Sequence, residues 1–155
     1  MRPKAILFDL DDTLISPHHH RTFFWHEAIQ DIWKQKEVHR VPEPKDIDDL
    51  VNKIDLSAAD FWSEPDRHKS GRLDIRTARF TILDNAIGSD KRFDRNTRWL
   101  IADRCGALMF DKTTLFPDAI STLKNLKLEG IKLALVTNGA SEAQRAKINK
   151  FDLEQ

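Results

Sequence analysis

Three carboxylates and a hydroxyl follow the first apolar run of the chain, and these residue types can bind a metal ion and transfer protons. Residues 5–8 read Ala-Ile-Leu-Phe, and Asp9, Asp11, Asp12 and Thr13 come directly after them. A short apolar run that stops at polar residues is typical of a buried strand. Carboxylates this close together repel one another unless a cation joins them, and Mg²⁺ prefers hard oxygen ligands. The sequence therefore predicts a magnesium site at Asp9 and Asp11.

A second apolar run, at 131–136, also ends in residues that can hold an anion. Thr137, Asn138 and Gly139 follow it, and a helical pattern begins soon afterwards. A hydroxyl and backbone N–H groups between a strand and a helix can cradle a phosphate. Asn-Gly is also a common turn dipeptide, so this segment alone is weak evidence. On the residues alone, a phosphate site at Thr137 and Asn138 and a plain turn both remain open.

The rest of the chain divides into a helical insert and flanking α/β segments. Apolar residues in the insert recur at helical spacing and do not alternate as in a strand. The insert is predicted to contain helices at about 19–36, 46–54, 74–86 and 92–109, a short segment at 58–62 and a charged loop at 64–71. After it, inward positions are predicted at Ala119, Ile120, Leu123, Leu126 and Leu128 of one helix and at Ala143, Ala146 and Ile148 of the next. We therefore predict an α/β core from residues 1–16 and 111–155, with an all-helical domain at 17–110.

Composition limits the classes of partner. The 155 residues carry 25 basic and 25 acidic side chains, so no net field favours nucleic acid or a membrane surface. The single cysteine, Cys105, excludes an internal disulfide and fits a reducing compartment. No apolar run is long enough to cross a bilayer. These features predict a cytoplasmic protein that binds a small molecule rather than nucleic acid or membrane.

The segment around the first strand resembles the first motif of the haloacid dehalogenase superfamily. In that motif an apolar strand runs into Asp-x-Asp-x-Thr, which Asp9, Asp11 and Thr13 match in order. The resemblance implies that Asp9 is the nucleophile and Asp11 the acid/base. The dehalogenases proper lack an acid at the second position, so Asp11 points to the phosphatases.

The second apolar strand is similar to the superfamily's second motif, which ends in Ser or Thr. The resemblance implies that Thr137 and the backbone N–H of Asn138 bind the transferring phosphoryl group, with Thr13 of the first motif as a further phosphate-binding residue. It also implies a Rossmann-like core, a helical cap of subclass I, Mg²⁺ as cofactor and a small phosphate monoester, such as a sugar phosphate or nucleotide, as substrate. Arg72 and Arg76 are candidate contacts for a substrate anion, although charged helix faces are usually only solvated.

Two later motifs of the superfamily have no match in this sequence. Lys147 and Lys150 belong to the helix directly after the second motif, too early in the fold for the third-motif lysine, so neither is predicted to have that role. No acidic pair follows a third or fourth strand, and a two-stranded parallel sheet leaves an open edge. We therefore expect a truncated or incomplete chain.

Two alternatives to a phosphatase remain open. A phosphomutase of the same superfamily would also use Asp9 but would return the phosphoryl group to a sugar. A non-catalytic chain that binds a phosphorylated ligand or a protein fits the missing last motif. Retention of both Asp9 and Asp11 argues against the second alternative, since a pure binder needs no nucleophile.

Overall fold

A computed structural model describes residues 2–16, 21–35 and 43–154 of the chain. They form two compact units. We call Met1–His19 with Lys112–Gln155 the α/β unit and His20–Asp111 the helical unit. Within the described residues, no helix has both the length and the apolar character needed to span a bilayer.

The described residues contain four short strands and seven helices. In chain order the elements are β1 Ala5–Phe8, β2 Ile15–Ser16, α1 Arg21–Gln35, α2 Pro44–Ser63, α3 Pro65–Leu73, α4 Ile75–Ile87, α5 Arg95–Lys112, β3 Thr114–Leu115, α6 Ala119–Leu128, β4 Lys132–Leu135 and α7 Ser141–Lys150. The predicted start of the first helix at residue 19 and the connection at 36–42 lie outside the described residues.

The α/β unit is built on a parallel pair formed by β1 and β4. Ala5 is paired with Lys132 and Phe8 with Leu135, so the two carboxyl ends lie side by side. A second pair, β2 with β3, is antiparallel and was not predicted, because strands of two residues carry no readable periodicity. Leu10, Leu14, Ile15 and Ala119 form the buried core of this unit.

Two predicted inward positions in the α/β unit are wrong. Leu128 is 86% exposed at the last residue of α6, where the chain leaves the helix for the turn at Gly130. Ala146 of α7 is exposed, whereas Gln144 is buried. The buried side of α7 therefore faces polar atoms at the strand ends as well as apolar side chains, which a search for apolar spacing does not detect.

The helical unit has its own apolar core, to which α1, α2, α4 and α5 all contribute. The predicted separate segments at 46–54 and 58–62 are one helix, α2, because its buried residues continue at helical spacing without a break. They are Ile47, Val51, Ile54, Ala58 and Phe61. Cys105 is buried in this core, as are most of the aromatic side chains.

The predicted charged loop at 64–71 is wrong, because α3 occupies most of it. Both carboxylate oxygens of Glu64 accept backbone N–H bonds, from Asp66 at 3.1 Å and Arg67 at 2.7 Å. These bonds lower the pKa of Glu64, and Pro65 begins the helix at a position where its missing N–H costs nothing. A cap and a proline therefore start a helix that has almost no apolar pattern.

Candidate active site

The carboxyl ends of β1 and β4 place the two sequence motifs next to each other. The backbone N–H of Val136 donates to the carbonyl of Phe8 at 2.8 Å, which extends the pairing one residue beyond the strands. Asp9 follows Phe8 and its side chain is exposed. Thr137 follows Val136 and is half-buried. Asp9 therefore lies at the sheet edge where the second motif begins, open to an incoming ligand.

The acidic turn after Asp9 is held by apolar anchors. The carbonyl of Leu10 accepts the backbone N–H groups of Leu14 at 3.0 Å and Ile15 at 3.1 Å, and all three side chains are buried. Asp12 takes a left-handed conformation, with φ 56°, at the tip of this turn. Asp11 is left half-buried beside the strand ends. The exposed residues of the turn are Asp12 and Thr13.

Gln144 of α7 joins the two motifs through a single atom. Its Nε2 lies 2.7 Å from Oγ1 of Thr137, 2.8 Å from the carbonyl of Asn138 and 3.2 Å from Oδ2 of Asp11. The acid/base candidate and the phosphate-site candidate are thus within one side chain's reach of each other. Asp9, Asp11, Thr137 and Asn138 are accordingly gathered at one edge of the α/β unit.

Lys147, one turn after Gln144, contacts the same carboxylate. Its Nζ lies 2.8 Å from both Oδ1 and Oδ2 of Asp11, and the two side chains are 21% and 24% exposed. Charge-assisted bonds of this length are among the stronger hydrogen bonds in proteins. The sequence argument that gave Lys147 no role therefore missed a direct contact with the site, whereas Lys150 donates to the carbonyl of Thr113.

The segment after β4 has the geometry of an anion cradle. Gly139 has φ 134°, a conformation that side chains disfavour, so this position suits glycine. Among the described residues, the backbone N–H groups of Asn138 and Gly139 donate to no other protein atom. Ala140 caps α7 without a side-chain bond, so the positive end of the helix also remains available. These donors could bind the oxygens of a phosphoryl group.

The donor set for a metal ion is small but of the right chemistry. Within the described parts of the chain no three His, Cys, Asp or Glu side chains come together as a metal cluster. Lys147 contacts both carboxylate oxygens of Asp11, so we take the Asp9 carboxylate and the Asp11 carbonyl as the candidate donors for a metal. Mg²⁺ commonly keeps several waters and binds through one or two carboxylates and a substrate phosphate. The residues fit that mode of binding.

Arg72 and Arg76 belong to the helical unit. Arg72 is exposed in the last turn of α3. Arg76 forms a bidentate pair with Asp103, at 2.7 and 2.8 Å, and lies over the ring of Trp99. These bonds raise the pKa of Arg76 and lower that of Asp103. Arg76 is already paired with a carboxylate, so a substrate anion would have to compete with Asp103.

Sequence reasoning missed Gln144 because it looked for apolar residues on α7, and it gave Lys147 no role because that lysine comes too early in the fold for the third motif. A usable signal was present: the two residues are three apart, and the first turns of the helix lie beside the strand ends. Polar residues on that helix face are expected to contact the site.

Comparison with known proteins identifies the family. A family model for haloacid dehalogenase-like hydrolases matches residues 3–155. The chain belongs to this family. Membership of the haloacid dehalogenase-like hydrolases, together with the parallel pair and the helical insert, confirms the predicted fold class. A search of curated proteins gave no match.

Two solved structures are similar to this haloacid dehalogenase-like chain. One is a predicted phosphoglycolate phosphatase from Haemophilus somnus 129PT, with 19% identity, TM-score 0.46 and coverage of 96% of this chain and 57% of that one. The other is a putative phosphoglycolate phosphatase from Lactobacillus delbrueckii subsp. bulgaricus, with 18% identity, TM-score 0.41 and coverage of 97% and 61%. The chain thus spans about three fifths of the length of these structures.

Proposed function

We propose that this hydrolase is a magnesium-dependent phosphatase that acts through an aspartyl-phosphate. The observation that carries the proposal is the bridge from Gln144 to both Asp11 and Thr137, at the sheet edge where Asp9 is exposed. A nucleophile, an acid/base and an anion cradle within one small region are the parts that phosphoryl transfer through a covalent intermediate needs. The substrate proposed is a small phosphate monoester, such as a sugar phosphate or a nucleotide.

In the first step, a carboxylate oxygen of Asp9 attacks phosphorus. A bond forms between this oxygen and phosphorus while the bond from phosphorus to the ester oxygen breaks. Asp11 donates a proton to the departing alkoxide, which leaves as an alcohol. Asp9 suits the attack because it lies at the end of a rigid strand and its side chain is exposed.

In the second step, water hydrolyses the aspartyl-phosphate. Asp11, now a carboxylate, takes a proton from the water as its oxygen attacks phosphorus. The bond from phosphorus to the Asp9 oxygen breaks, and inorganic phosphate leaves with Asp9 regenerated. Asp11 therefore acts as acid and then as base within one cycle.

Lys147 has two consequences for this cycle. Because its ammonium group contacts both oxygens of Asp11, one oxygen must be released and take up a proton before Asp11 can act as the acid in the first step. Its positive charge also offsets the repulsion between a phosphate dianion and the carboxylates of Asp9 and Asp12. We assign Lys147 this charge-balancing role in the proposed reaction.

The remaining groups would bind the transferring phosphoryl group. The Thr137 hydroxyl and the backbone N–H of Asn138 can donate to its oxygens, while Thr13 lies in the exposed turn nearby. The Asp9 carboxylate and the Asp11 carbonyl would hold Mg²⁺, which would supply positive charge that lets two anions approach. The free, buried thiol of Cys105 is compatible with the reducing cytoplasm, where we propose the protein acts.

The proposal is tested by hydrolysis of p-nitrophenyl phosphate with and without Mg²⁺, using Asp9→Asn as the matched control. We expect magnesium-dependent release of p-nitrophenol that Asp9→Asn abolishes. Turnover that persists in Asp9→Asn would remove Asp9 as the nucleophile. A folded chain that binds phosphate without any turnover would instead favour a non-catalytic binding protein. Transfer of phosphate to an added sugar phosphate, in place of water, would favour a phosphomutase.

A further inference from the structure

Gln144 is buried, at 6% exposure, among three oxygen atoms that belong to the two motifs. The carbonyl of Asn138 accepts hydrogen bonds but cannot donate them. The same holds for the side chain of Asp11 when it is an ionised carboxylate. An amide turned the other way would place its own oxygen against both of them. The nitrogen of the Gln144 amide must therefore face the site, so it acts as the donor.

This orientation determines what the Thr137 hydroxyl can do. An amide nitrogen donates but does not accept, and its two N–H protons serve the two short contacts. Oγ1 of Thr137 therefore accepts the 2.7 Å bond from Gln144, and the 3.2 Å contact with Asp11 is a weaker, shared bond. The hydroxyl proton of Thr137 is then directed away from Gln144 and remains available for another acceptor. Without Gln144, nearby acceptors such as the Asp11 carboxylate could compete for that proton.

We propose that Gln144 is a positioning residue that directs the Thr137 hydroxyl proton toward a bound phosphoryl group and holds Asp11 beside it. This proposal rests on the proposed function for its role in turnover, but its effect on phosphate binding stands apart from catalysis. Partners that orient metal ligands typically change affinity or activity about 10–100-fold when removed, and we take the lower end of that range for the phosphate-binding hydroxyl. We therefore expect Gln144→Met to weaken binding of inorganic phosphate by about tenfold or more.

The test combines Gln144→Met with Thr137→Val in the full chain. Inorganic phosphate is titrated while the backbone amide signals of Asn138 and Gly139 are followed by NMR, and kcat and KM for p-nitrophenyl phosphate are measured in parallel. Gln144→Met should lose at least tenfold in phosphate affinity, and this loss should largely disappear when Thr137 is already valine, because the hydroxyl that Gln144 directs is gone.

Gln144→Glu should bind more weakly still, since it places an acceptor against Asp11 and the Asn138 carbonyl. Asn149→Ala, at an exposed position near the other end of α7, is the control that also removes an amide, and it should bind like the unchanged chain.

The outcomes separate the two proposals. Phosphate binding that depends on Gln144 through Thr137, in a chain without turnover, supports the positioning role and counts against the phosphatase. If the unchanged chain turns over substrate and Gln144→Met changes its phosphate affinity and kcat/KM less than twofold, the positioning role is overturned and the phosphatase proposal stands. The positioning role is also overturned if Gln144→Met lowers phosphate affinity equally in the chain with Thr137 and in the Thr137→Val chain. Absence of phosphate binding by the unchanged chain would overturn it as well.

Discussion

Replacement of Lys147 by methionine tests the contact that sequence reasoning missed. The substitution keeps most of the apolar stem but removes the ammonium group that lies 2.8 Å from both oxygens of Asp11. Because the Asp11 side chain is only 24% exposed, its carboxylate would lose its cation without gaining full hydration. We expect α7 and the turn after β1 to be held together less firmly.

The size of the effect follows from the geometry. Hydrogen bonds to charged groups contribute about 1.5–3 kcal/mol, and partial exposure of both partners reduces this value. We therefore expect Lys147→Met to reduce the local free energy of opening by about 1–2 kcal/mol, which is roughly a five- to thirtyfold increase in exchange rate. In a double-mutant cycle with Asp11→Asn, about 1 kcal/mol of this should appear as coupling between the two side chains.

Tryptophan fluorescence does not report on this change, because all four tryptophans lie in the helical unit. Hydrogen exchange measured by mass spectrometry on peptides that cover β1 and α7 is the suitable assay. Lys124→Met, at an exposed position of α6, is the control and should leave exchange in these peptides unchanged. Additive effects of Lys147→Met and Asp11→Asn would refute the ion pair.

Four further predictions concern the helical unit. Gly71→Ala should reduce its stability by up to about 2 kcal/mol in urea unfolding followed by tryptophan fluorescence, because a Cβ there would meet two aromatic rings at 2.8–3.1 Å. Gly106→Ala should instead increase the stability of the helical unit by up to about 1 kcal/mol, because alanine favours the helix and the new Cβ would meet only the end of the flexible Arg79 side chain. A loss of stability like that of Gly71→Ala would contradict this. Burial raises the pKa of the Cys105 thiol to about 12, so iodoacetamide at pH 8 should modify it only after urea is added, and labelling of the folded chain would contradict its burial. Hydrogen bonds from Arg76 lower the pKa of Asp103, so the stability lost in Asp103→Asn at pH 7 should shrink as the pH falls below about 4; a constant difference in Tm would argue against the pair.

The sequence was sufficient for the elements whose signal is local. The apolar runs of β1 and β4 and the helical spacing of the insert were readable, and Asp9 and Thr137 follow the paired strands as expected. Helix α3 was not readable, because its start depends on a cap at Glu64 rather than on apolar spacing. The prediction of which side of α7 is buried was wrong, because Gln144 is buried against polar partners and one of them, Asp11, lies far away in the sequence.

The most direct test of the account is to trap the covalent intermediate on Asp9. The chain is mixed with p-nitrophenyl phosphate and Mg²⁺, quenched in acid within the first turnover, and digested for mass spectrometry. The account predicts one added phosphoryl group on the peptide that contains Asp9, absent in Asp9→Asn and longer-lived in Asp11→Asn, which lacks the base for hydrolysis. Turnover without a phosphorylated peptide, or with the phosphoryl group on another residue, would contradict the central claim.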